Sequence, residues 1–81
     1  MARDTYAIWD LESGNLVAGY DSEREALELV RAQIREYGEQ SVRQWDLSRE
    51  RRGRLTSMAE GEALVQRAIA QVQHVEHSVG R

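Results

Sequence analysis

Trp9-Asp10-Leu11-Glu12-Ser13-Gly14-Asn15-Leu16 is the stretch whose reading decides the fold. A run rich in aromatic and branched side chains, Thr5 to Leu11, stops at a turn-forming cluster and resumes as Leu16 to Tyr20, the pattern of two strands joined in a hairpin. Gly14 suits the turn because a tight hairpin needs a residue at positive φ, which glycine adopts without steric cost. With Ser13-Gly14 as a two-residue loop, Leu11 faces Leu16, Trp9 faces Ala18 and Ala7 faces Tyr20, all on one side of the ribbon. The other side carries Tyr6, Ile8 and Val17 beside Asp10, so something is expected to cover each side of this hairpin.

Most of the element recurs. Trp45-Asp46-Leu47-Ser48 follows 36 positions after Trp9, reaches a glycine at Gly53 and returns through Leu55. Val42 to Ser48 and Arg54 to Met58 therefore read as a third and a fourth strand. An acidic Glu-Ala-Leu helix start follows each hairpin, at Glu25-Ala26-Leu27 and at Glu62-Ala63-Leu64, and Arg31-Ala32 answers to Arg67-Ala68. The fold class expected is α+β, a tandem ββα-ββα chain with a four-stranded antiparallel sheet and two helices. It forms a single domain of two units, about 5–38 and 41–78.

The first helix opens at Asp21-Ser22-Glu23-Arg24-Glu25, where Ser22 accepts from the Glu25 amide and Glu25 reaches back, a capping box. Leu27, Val30, Ile34 and Tyr37, with Ala26, form one apolar stripe, and Gly38 ends the helix. The second opens at Glu60-Gly61-Glu62 and runs to about Ser78. Its Val65, Ala68, Val72, Val75 and Val79 make a heptad seam, flanked by Leu64 and Ile69 and suited to packing on the sheet or on a partner helix.

A chain of 81 residues buries only about 60 % of its unfolded surface, so association with a second copy is a cheap route to stability. The absence of cysteine excludes disulfides, thiolate nucleophiles and Cys-ligated metals. No apolar run approaches the ~20 residues of a membrane helix and the first residues lack a signal peptide's apolar stretch, so a cytoplasmic protein is expected. The net charge is -3, and all eleven basic side chains are arginines. A mildly acidic whole argues against non-specific coating of nucleic acid but leaves room for one basic patch.

That patch is Arg49, Arg51, Arg52 and Arg54 on the second hairpin, with Arg43 before it and Glu50 weakening the field. Such a ribbon tip is either a soluble surface or a clamp for nucleic-acid phosphate or an acidic partner. His74 and His77 have the one metal-like spacing, yet zinc takes three or four protein ligands and no third is marked, so they read as a solvated pair. Trp9, Trp45, Tyr6, Tyr20 and Tyr37 read as packing residues rather than a stacking platform. Asp10 and Asp46 do not read as a catalytic carboxylate pair, and no phosphate loop, nucleophile elbow or Ser/His/Asp set is present. No catalytic residue, cofactor or metal is expected.

From Tyr6 through Ser22-Glu23-Arg24-Glu25-Ala26-Leu27, the chain resembles the opening of short uncharacterised bacterial ββα proteins. More distantly it resembles HicB-type antitoxins, where a hairpin precedes a Glu-Ala-Leu helix. That resemblance implies a non-enzymatic oligomer that binds a small protein toxin. The family's Pro-Asp-Leu-Pro-Gly-Cys stretch has no counterpart, and the chain has no proline. The functional expectation is a homo-oligomeric interaction or regulatory module of antitoxin-like kind. It would associate through Val65, Ala68, Val72, Val75 and Val79 or through the Tyr6, Ile8 and Val17 face, and the alternative is a nucleic-acid-binding module using the arginine hairpin.

Overall fold

The computed structural model describes residues 3–79, and side chains only as far as residue 71. The chain is α+β: β1 (Thr5–Asp10), β2 (Asn15–Tyr20), α1 (Glu23–Tyr37), a 3-10 turn (Glu39–Val42), β3 (Trp45–Arg51), β4 (Arg54–Glu60) and α2 (Glu62–Val79). The four strands form one antiparallel sheet in the order β2-β1-β3-β4. Val42, expected in the third strand, instead closes the 3-10 turn and is fully buried.

One row of paired residues explains how the layers meet. Ala18, Ile8, Leu47 and Ala59 stand side by side across all four strands. Both helices lie on the side to which this row points, with Ala26, Leu27 and Val30 of α1 and Leu64, Val65 and Ala68 of α2 facing it. Ile8, Val30, Leu47, Leu64, Val65 and Ala68 have no exposed surface. Side chains alternate along a strand, so Ala7, Trp9, Asp46 and Ser48 stand on the opposite, helix-free side. The chain measures 38 × 34 × 17 Å, one helix layer on one sheet.

This packing changes two expected faces. Ile8 lies in the core and offers no free surface, while Tyr6 is half-buried against it. Val65 and Ala68 are likewise consumed by the core, while the side chains of Val72, Val75 and Val79 lie outside the described residues. Trp9 pairs with Asp46 and Asp10 with Trp45, which puts the two tryptophans on opposite sides of the sheet. The Trp-Asp-Leu echo thus does not mark equivalent places: the buried trio Ala26, Leu27 and Val30 corresponds to Leu64, Val65 and Ala68, two positions beyond the offset of the tryptophans.

The first turn differs from its expected form for a local reason. The Asp10 carboxylate accepts from the Glu12 amide at 3.0 Å and from the Ser13 hydroxyl at 3.1 Å, and the Gly14 amide donates to the Asp10 carbonyl at 2.7 Å. Capturing these donors opens the loop to four residues, the Asx-turn behaviour of aspartate. Trp9 then pairs with Leu16, and a bulge at Val17 shifts the remainder so that Ile8 meets Ala18 and Tyr6 meets Tyr20. Ala18 and Tyr20 therefore leave the side of Trp9 expected from a two-residue loop.

Helix α1 begins as expected, with Ser22 Oγ accepting from the Glu25 amide at 3.2 Å. The Glu25 carboxylate accepts from the Ser22 hydroxyl at 2.9 Å rather than from the Ser22 amide. At its other end the Gly38 amide donates to the Ile34 carbonyl with φ at 90°. The apolar stripe runs out one turn early, because Tyr37 is 71 % exposed. An ion pair from Arg67 to Glu23 ties α2 to the first turn of α1.

Candidate functional site

The second hairpin is the tight one. Arg51 pairs with Arg54 across a two-residue loop, and both loop residues have positive φ, Arg52 at 54° and Gly53 at 80°. That is the signature of the I′ turn, whose twist matches the strands it joins. Asparagine, aspartate or glycine usually fills its first position, because a larger side chain costs about 1–2 kcal/mol there. Arginine fills it here. Beyond the helices both strands are solvated, and Glu50 to Ser57 are all exposed.

The register gathers the arginines. Arg49 pairs with Thr56 and Arg51 with Arg54, and these two neighbouring pairs lie on the side of Ile8 and Leu47, toward the helix layer. With Arg52 they line one hollow of about 400 Å³. Glu50 pairs with Leu55 and accepts from the Thr5 hydroxyl at 3.3 Å, which places it on the other side of the ribbon. It therefore stands beside the cluster rather than within it. Arg43 is absent from it too, since it caps the 3-10 turn at the far end of the sheet and pairs with Glu62 at 3.7 Å.

One carboxylate among the described residues engages the cluster. Asp4 receives Arg51 through two parallel bonds, Nε to Oδ1 at 2.8 Å and Nη2 to Oδ2 at 2.9 Å, the fork that guanidinium and carboxylate geometry favour. The Arg51 hydrogen bond holds the Asp4 carboxyl below its ordinary value, with the charges of Arg51 and Arg49 adding, and the same bond raises Arg51. Arg49, Arg52 and Arg54 have no ion-pair partner among the described residues.

The other feature is the helix-free side of the sheet. A trough of about 550 Å³ opens onto it, lined by Thr5, Ala7, Trp9, Leu16, Gly19, Glu50, Gly53 and Leu55 and bordered by Tyr6, Tyr20, Asp21 and Glu25 from the helix-bearing side. Leu16 and Leu55 are 55 % and 54 % exposed. Beside Trp9 sits a closed polar knot, in which the Asp46 carboxylate accepts from the hydroxyls of Ser48 and Ser57. Asp46 and Ser48 are each only 6 % exposed, and no buried side-chain polar atom among the described residues lacks a partner.

The remaining candidates are not brought together. Asp10 belongs to the first turn and Asp46 to the helix-free side, so the two carboxylates do not converge. Trp45, Tyr6 and Tyr20 pack at the core margin; Tyr6 and Tyr20 also border the trough that Trp9 lines, whereas Trp45 does not. The side chains of His74 and His77 lie outside the described residues, and no cluster of three metal-ligating groups occurs among the described ones. No helix among the described residues is long and apolar enough to cross a membrane.

Sequence reading found the four arginines because they sit on consecutive and alternate positions. It missed Asp4, Thr56 and the Leu16/Leu55 pair. Asp4 lies 47 residues from Arg51, and only the β1-β3 pairing joins them. Comparison with protein-family models, curated proteins and solved structures finds no match.

Proposed function

We propose that the chain is a small, non-enzymatic interaction module of the cytoplasm that associates with a second copy of itself through the helix-free side of its sheet. The observation that carries this is the character of that side, where Trp9 and Ala7 stand at the centre and half-exposed Leu16 and Leu55 flank them. A solvated sheet face alternates to polar residues, and this one does so on β3 and β4, at Asp46, Ser48, Glu50, Ser57 and Glu60, but presents Ala7, Trp9 and Leu16 on β1 and β2.

The strand edges favour a face over an edge. Val17 is the extra residue of a bulge in β2 and Met58 of one in β4, and these are the two outer strands. Bulges on outer strands discourage edge-to-edge growth. Four strands at ~4.8 Å and six residues at ~3.3 Å offer about 400 Å² in projection. Two copies related by a two-fold axis would then cover roughly 800 Å² or more, below the size of stable interfaces and in the range of weak ones, which argues for a dimer that forms with rising concentration.

We read the chain as two ββα units in tandem, with Ile8 against Leu47 at the junction and Gly14 matched by Gly53. An antitoxin-like regulatory role, with a small protein as further partner, accords with that build. Molar mass measured across a concentration series tests the reading. A protein that stays monomeric at several hundred micromolar would remove its basis.

A further inference from the structure

The arginine hairpin carries an inference independent of self-association. We propose that the hollow formed by Arg49, Arg51, Arg52, Arg54 and Thr56 binds closely spaced phosphates, as in a nucleic-acid backbone or a free polyphosphate.

Three observations lead there. The first is convergence, since five donor side chains from two strands and their turn line a single hollow. The second is that the arrangement works against the hairpin itself. Arg51 and Arg54 face each other across the strands, where like charges repel, and Arg52 occupies a backbone position that its side chain disfavours. A strained position over-determined by its surroundings points to function. The third is the balance of charge: Asp4 neutralises Arg51, whereas Arg49, Arg52 and Arg54 have no ion-pair partner among the described residues.

Phosphate is the anion that fits these donors. A guanidinium presents a planar fork that takes two phosphate oxygens at once, and the Thr56 hydroxyl adds a further donor. A single carboxylate could occupy one fork but not three. Two or more phosphates in sequence can. The hollow contains no aromatic side chain on which a base could stack and no amide to read a base edge, so recognition stops at the phosphates and is indifferent to sequence. An overall charge of -3 confines binding to this end of the molecule, since the rest of the surface repels polyanions.

The test uses the full chain, a labelled single-stranded oligonucleotide of mixed sequence read by fluorescence anisotropy, and inorganic tripolyphosphate read by calorimetry. With Arg49, Arg52 and Arg54 engaged, log affinity for the oligonucleotide should fall against log salt with a slope of about -2. The Arg52→Ala/Arg54→Ala variant should lose about tenfold or more in affinity at low salt. Both residues are exposed, and an unchanged circular-dichroism spectrum will show that the fold is kept. Arg24→Ala, which removes a comparably exposed arginine on α1, should leave binding as it was. Asp4→Asn frees Arg51 and should tighten binding.

Oligonucleotide binding that tripolyphosphate displaces identifies the backbone as the ligand. Binding of tripolyphosphate alone identifies a free polyphosphate. Binding of neither at about 50 mM salt, or binding that Arg52→Ala/Arg54→Ala leaves unchanged, overturns the proposal.

Discussion

Replacing Leu16 and Leu55 by glutamate should dissolve the proposed dimer while sparing the monomer. The two leucines stand on the helix-free side of β2 and β4, 55 % and 54 % exposed, and belong to the trough rather than the core. Burying a leucine side chain completely is worth about 1.5–3 kcal/mol, and about half of each remains to be buried, so each contributes ~1 kcal/mol on association. A two-fold dimer holds four of them. Their loss removes about 4 kcal/mol, a factor of about a thousand in the dissociation constant, before any charge effect is counted. The introduced carboxylates add to Glu50 on the same side and must be desolvated to associate, which pushes the same way. Sedimentation equilibrium at several loading concentrations reads the constant, and a urea melt of each protein checks the fold. The melts should agree within about 0.5 kcal/mol at concentrations where both are monomers, because exposed substitutions of this kind seldom cost more. A double variant that dimerises like the parent would refute the assignment of this face, and so would a parent that never dimerises.

Three other outcomes follow from local geometry. Ser48→Ala with Ser57→Ala strips both hydroxyls from the Asp46 carboxylate and should destabilise by about 1–3 kcal/mol in urea; adding Asp46→Ala should restore much of that, since removing the whole knot leaves no unsatisfied acceptor. Gly61 holds φ at 58°, and an added Cβ would lie 3.4 Å from the Arg43 carbonyl oxygen, so Gly61→Ala should lose about 1–2 kcal/mol, read as a lower thermal midpoint. Because the folded-state pKa of Asp4 is depressed by Arg51, its contribution is complete above the unfolded value and disappears as pH falls through the lower folded value. The stability difference between the parent and Asp4→Asn should therefore be constant near neutrality and close in strong acid, and a difference that persists there would contradict the pair.

What the sequence disclosed depended on how local each determinant is. The start of α1 was legible because Ser22 and Glu25 cap it within four residues and Ala26, Leu27 and Val30 supply the buried stripe. Gly53 marked the second hairpin, but the sequence puts its connection at Arg49 to Gly53, whereas pairing continues to Arg51 and Arg54 and leaves only Arg52 and Gly53 in the loop. The first turn was misread because the Asp10 side chain, not the glycine, decides its length. Bulges at Val17 and Met58 leave no mark in composition, and each one transfers the residues beyond it to the other side of the sheet. That is how Ala18 and Tyr20 were assigned to the wrong side. The echo of Trp9-Asp10-Leu11 in Trp45-Asp46-Leu47 misled for a related reason, since a motif can recur in sequence while its alternation falls out of phase with the pleat. The arginine cluster was visible, but its direction was not, because the side on which Arg49 stands follows from Ile8 meeting Leu47 two positions away on β1 and β3.

The second hairpin divides its side chains by face in a way that keeps the two proposed activities apart. Arg49, Arg51, Arg54 and Thr56 stand toward the helix layer, whereas Glu50 and Leu55 stand toward the trough. A second copy seated on the trough therefore covers Leu55 and leaves the arginines outside the contact. Two hollows per dimer, one on each outer surface, would each remain open to an anion while the trough is covered. The strand alternation that makes a sheet two-faced thus lets one short ribbon serve association on one side and anion capture on the other, with Asp4 reaching from the start of β1 to hold Arg51 in line between them.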